Sequence, residues 1–188
     1  TFETQSSGFL DWIFPFHNQY AVTFDTVTFF MRSTAKRIRQ GSELEKLSGS
    51  WDGVNSAVVY DDKTAIPRDS EVMTVLTMLA LVIHRNPENF DTHWYPLEHE
   101  GALYRARFLW AGPDSLVTDA SGAPANRYRL DLELRDDSRK ILAHSDFFHE
   151  YITMDGLIKQ VWVSTTTPKI LQAQVTLKGL TLKARRRP

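Results

Sequence analysis

Period-2 alternation runs through most of this chain. In "ALYRARFLW", Ala102, Tyr104, Ala106, Phe108 and Trp110 fall on one face, with Arg105 and Arg107 on the other. "RYRLDLEL" sets Tyr128, Leu130, Leu132 and Leu134 against Arg129, Asp131 and Glu133. Such alternation marks strands with one buried and one wet face. It predicts further strands at 20–24, 26–40, 43–51, 56–62, 140–148, 157–164 and 169–184, and "TFETQSS" reads as part of another. Asp52-Gly53, Ala111-Gly112-Pro113, "SGAP" at 121–124 and Asp155-Gly156 supply turns between most of them. The expected chain path is a long antiparallel meander.

One segment breaks the rhythm. "IPRDSEVMTVLTMLALVIHRNP" offers Asp69 or Ser70 as an N-cap, Glu71 in a first turn, and a stop at Asn86 and Pro87. From 72 to 83 the only polar residues are Thr74 and Thr77, and a helix apolar on nearly all sides is normally buried. At about 1.5 Å per residue it falls short of a ~30 Å hydrocarbon core. The expected fold is therefore mainly β with a minor α component: one strongly curved antiparallel sheet, a half-barrel, enclosing this helix. The opening "GFLDWIFPF" packs Phe9, Leu10, Trp12, Ile13, Phe14 and Phe16 around Pro15. Neither a long helix nor an alternating strand fits it, so a short helical turn plugging the apolar interior is expected.

Composition narrows the setting. The 188 residues suit a single domain spanning 1–188. A formal net charge of -1 argues against broad capture of nucleic acid, and the terminal "KARRRP" reads as a solvated end. With no cysteine there is neither a disulfide framework nor a thiolate metal site. The chain begins at Thr1 rather than Met, and is expected to be a trimmed product whose first strand and signal segment lie upstream.

Four stretches together resemble an uncharacterised family of bacterial exported proteins, a domain of unknown function. They are Ser7-Gly8-Phe9-Leu10 running to Phe14-Pro15-Phe16, Asn18 and Tyr20; Ile66-Pro67 opening the apolar helix; Thr118 and Gly122 before "RYRLDLEL"; and "VWVSTTTPKILQAQVTLKG". The resemblance implies export to the envelope, in the periplasm or at the outer-membrane periphery of a Gram-negative bacterium. It also implies a sheet like the half-barrels of lipoprotein-carrier proteins, whose apolar concave face receives acyl chains. It implies no catalytic residues.

Candidate chemistry is sparse. "HWYPLEHE" brings His93, His99 and Glu100 close in sequence, and "HSDFFHEY" adds His144, Asp146, His149 and Glu150. Neither has a zinc-signature spacing, and on a strand His144 and Asp146 would share a face that His149 does not. They read as surface polar residues near turns. There is no nucleophile elbow, and "SGSWDG" lacks the Lys of a phosphate loop. Asp61-Asp62 and Asp136-Asp137 sit where turns favour Asp, and Arg32, Lys36, Arg37 and Arg39 form the expected wet face of a strand.

The aromatic and methionine content exceeds what one thin sheet needs, and ligand pockets are largely apolar. The expected function is therefore a non-enzymatic envelope protein that binds or transfers a lipid or other apolar ligand. Trp12, Phe14, Phe16, Met73 and Met78 are the expected pocket walls; no catalytic residue, metal ligand or cofactor is expected. Membrane contact would be peripheral, an envelope protein could be a partner, and nucleic acid is not. The first rival is an envelope protein-interaction module with an open sheet edge. The second is a metal-assisted hydrolase using His93, His99, His144 or His149.

Overall fold

A computed structural model of the protein describes residues 2–5, 16–40, 43–118, 121–141 and 146–185. The chain forms two compact units, Thr1–Met78 and Leu79–Pro188. In the first, β1 (Phe2–Gln5), β2 (Phe16–Phe24), β3 (Met31–Gln40), β4 (Glu43–Asp52), β5 (Ala57–Tyr60) and β6 (Ala65–Pro67) make one antiparallel sheet in sequential order. Tyr20, Met31, Ile38, Val58 and Ile66 supply its buried side chains.

Aspartates close three turns of this sheet. Asp25 Oδ1 accepts the N–H groups of Val27 and Thr28, each at 2.9 Å, and Phe29 follows at φ 63°. That turn delays β3 to Met31, although alternation alone predicts a strand from 26. Asp52 Oδ1 likewise accepts Val54 N–H at 2.9 Å and Asp62 Oδ1 accepts Thr64 N–H at 2.8 Å. The carboxylates of Asp52 and Asp62 are thus used locally, as Asx turns require.

Helix α1 spans Val75–His84, and the division between the two units falls within it. It starts later than Asp69 and Ser70 predict because Thr74 caps it. Thr74 Oγ1 accepts Thr77 N–H at 3.2 Å while Thr77 Oγ1 accepts Thr74 N–H at 2.9 Å. This reciprocal arrangement satisfies two backbone donors that helix termini leave over. Val72, ahead of the cap, is already engaged elsewhere: its carbonyl accepts Met31 N–H at 2.8 Å.

In the second unit β7 (Tyr95–His99), β8 (Ala102–Thr118), β9 (Ser121–Asp136), β10 (Ile158–Ser164), β11 (Ile170–Leu177) and β12 (Leu180–Arg185) again pair antiparallel in sequence order. Leu97, Ala106, Phe108, Tyr128 and Val161 are buried. On the wet face of the long β8–β9 hairpin, Arg105 faces Glu133 and Arg107 faces Asp131, with Nε–carboxylate distances of 2.7 and 3.1 Å. Both guanidinium groups also lie over the ring of Trp94, 4.5 and 4.4 Å from its centre.

Three expectations are corrected here. Residues 169–184 form two strands, because Lys178 and Gly179 at φ 44° and 88° make a two-residue hairpin turn. The strand expected over 140–148 is not formed at its end: α2 (Phe147–Thr153) begins there, an excursion between the paired strands β9 and β10. The half-barrel is also overturned. The meander is divided into two six-stranded sheets, each with two edges, and neither is closed or strongly curved into a barrel. The short N-terminal helical turn expected before Phe16 lies outside the described residues. Among the described residues no helix is long and apolar enough to cross a membrane.

Candidate metal centre

The turn joining β7 to β8 consists of Glu100 and Gly101, with φ of 53° and 88°. Two successive positive φ values match the twist of a two-residue hairpin, and only glycine adopts such angles freely. Gly101 is required for a second reason. A Cβ there would stand 2.2 Å from the carbonyl oxygen of Arg139. The chain after β9 crosses this turn closely: Ile141 N–H donates to the Glu100 carbonyl at 2.6 Å, and Gly101 N–H donates to Glu98 Oε1 at 2.7 Å. A residue at a hairpin tip is usually exposed, yet Glu100 keeps only 6% of its surface.

Helix α2 brings the other half of the site. Asp146 is its N-cap: Oδ1 accepts His149 N–H at 3.2 Å and the Asp146 carbonyl accepts Glu150 N–H at 2.8 Å. With one oxygen so held, the other, Oδ2, lies 2.6 Å from His149 Nδ1. Asp146 and His149 are both buried.

Hairpin turn and helix start thus converge. Glu100, Asp146 and His149 each place one donor atom within 4.8 Å of the other two. His99 borders this group. Its Nε2 is 3.7 Å from Glu100 Oε1, its ring centre is 4.9 Å from that of His149, and Tyr104 meets its ring edge-on at 6.3 Å. Burial, followed by the nearby charges of Asp137, Asp155 and Glu100, pushes the Tyr104 phenol above its ordinary value, although Thr153 hydrogen-bonds to it. Carboxylate and imidazole donors without sulfur suit zinc, manganese or iron(II).

This cluster overturns the expectation of a non-enzymatic protein. Glu100, Asp146 and His149 are not surface polar residues but a buried set able to hold a metal ion, and His99 is buried beside them. Of the other histidines, His93 is exposed with Nδ1 3.1 Å from the Asp91 carbonyl, and His144 lies outside the described residues. Helical geometry is what the strand reading of 140–148 missed. An Asp immediately ahead of an apolar pair is an N-cap signal.

The half-barrel expected to enclose a lipid pocket is not formed. Met73 and Met78 are fully buried, Trp12 and Phe14 lie outside the described residues, and Phe16 begins β2. Two open clefts at the surface of the second unit border none of these. One, of about 290 Å³, is lined by residues including Arg85, Asn126, Tyr128 and Thr166; the other, of about 240 Å³, by residues including Asp131, Glu133, Asp155 and Lys159. Polar rims of this kind offer no apolar enclosure for an acyl chain. On the basic strand face, Arg32 is engaged with Glu71 at 2.8 Å and Asp25 at 3.3 Å.

Comparison with protein families, curated proteins and solved structures returns no match. The class of protein is accordingly read from the site: a two-sheet β protein with a buried acid–imidazole cluster.

Proposed function

We propose that the Leu79–Pro188 unit holds a divalent metal ion and that the centre supports metal-assisted hydrolysis. One observation carries the reading: two carboxylates and an imidazole, delivered by a hairpin turn and a helix start, converge out of solvent. A divalent metal held there with one coordination position open would make a bound water acidic enough to supply hydroxide near neutral pH. In ester or amide hydrolysis the water oxygen bonds to the carbonyl carbon, the bond to the leaving group breaks, and a water proton ends on that group. Enclosure of the ligands favours a small substrate.

The same enclosure favours a second reading, a structural clamp between the β7–β8 turn and α2. Structural sites are closed, whereas catalytic ones keep an open position.

Metal analysis of desalted protein, paired with 4-nitrophenyl acetate turnover, separates these. Stoichiometric zinc or manganese, with turnover that is lost on chelation and in Glu100→Ala, supports the hydrolase. Retained metal that raises Tm without turnover supports the clamp. Protein that retains no added metal sinks both. An envelope location, supported by the resemblance of the segments around Phe14-Pro15 and Trp162, is part of the proposal and is tested by cell fractionation.

A further inference from the structure

The donors of the cluster are not equivalent in the distances between them. Asp146 Oδ2 and His149 Nδ1 are 2.6 Å apart, which is a hydrogen-bond length. Two donors sharing a tetrahedral zinc ion stand roughly 3.4 Å apart, given metal–ligand bonds of about 2.0–2.2 Å. As placed, this pair is too close to flank a metal. It has the geometry by which a carboxylate takes the N–H of a ligating imidazole and fixes its orientation, leaving the remote ring nitrogen to the metal. The other oxygen of Asp146 is committed to the α2 cap, so the carboxylate is anchored for that task.

His99 meets the opposite criteria. Its Nε2 lies 3.7 Å from Glu100 Oε1, near a tetrahedral donor–donor edge. Bonds of that length place the centres of two imidazoles on one tetrahedral metal roughly 5 Å apart, and the rings of His99 and His149 are 4.9 Å apart at a tilt of 33°. The Nε2 of His99 is also sealed from solvent, as is the second oxygen of Glu100.

We infer that the inner ligands are His99 Nε2, His149 Nε2 and the Glu100 carboxylate, with Asp146 as the positioning residue that holds the His149 ring through its Nδ1–H. This rests on the metal-centre reading above and assigns the roles within it. Two imidazoles and one carboxylate form a donor set of hydrolytic zinc sites, with a fourth position for water. A positioning carboxylate of this kind contributes about 10–100-fold in metal affinity.

X-ray absorption at the zinc edge of the zinc-loaded full chain counts imidazoles directly and needs no variant. Two imidazoles per zinc are expected. His99→Ala should reduce the count to one and weaken zinc binding more than Asp146→Asn does. Asp146→Asn should keep both imidazoles while weakening binding about 10–100-fold, a split that a merely structural loss would not produce. A single imidazole in the unaltered protein, with binding indifferent to His99→Ala, overturns the assignment and leaves the metal centre standing. Failure of the unaltered protein to retain zinc overturns both.

Discussion

At the residue scale, single side chains in this protein are set by the backbone groups they face. Asp25 is the clearest case. The Thr28 and Val27 N–H groups, assisted by the Arg32 guanidinium, hold its carboxyl at about 2 against an ordinary 3.8. Its folded value lies below its unfolded one, so its stabilisation is present above the ordinary value and is lost as pH falls through about 2. Carboxyl titration followed by NMR should show that low midpoint. Asp25→Asn should remove this residue's part of the acid dependence of unfolding below about pH 4. The turn role of such aspartates is legible in sequence, because Asp ahead of small or polar residues between two alternating runs has few other uses. The burial of Glu100 is not legible. It depends on the later segment around Ile141 crossing a turn whose own residues, Glu and Gly, look like any exposed hairpin tip.

Between residue and element stands the cap. The existence of α1 could be read from its long, mostly apolar run, yet its start could not be placed by charge and N-cap preference at Asp69 and Ser70. Two threonines within the apolar run, polar residues with no evident task, turn out to close the N-terminus on each other. Thr74→Ala is expected to destabilise the protein by about 1 kcal/mol, and Thr74→Ser to recover most of it, as measured by urea unfolding. For α2 the difficulty was periodicity. Seven residues are too few for a 3.6-residue repeat to outweigh the alternation expected of their neighbours. The long strands, by contrast, announce themselves: the Arg105–Glu133 and Arg107–Asp131 pairs match the two alternating stretches residue for residue.

The whole molecule differs from its sequence reading in the number of its sheets rather than in the kind. Alternation reports which faces of a strand are wet, and it carries no information on where a run of antiparallel neighbours stops and another starts. Two meanders and one curved sheet therefore share a pattern. The division has a measurable counterpart in the proposed metal centre, whose ligands all belong to Leu79–Pro188. At free zinc about 100-fold above Kd, binding adds about 2.7 kcal/mol to the loaded form. Amide exchange monitored with and without chelator should slow around residues 97–104 and 146–153 and stay unchanged over 16–67. Uniform slowing across both units would contradict a site confined to the second.

Sequential strand order also fixes a timetable. In both sheets every strand pairs with its neighbours in sequence, so most pairings close a short stretch of chain, and pairings of that kind form early. Glu100 leaves the ribosome well before Asp146 and His149, with the whole of β8 and β9 in between. The ligand set is complete only after that longest hairpin has zipped and the chain has turned back over Gly101. Metal capture by the nascent protein would thus be a late event, reporting that the middle of the second sheet is already in register.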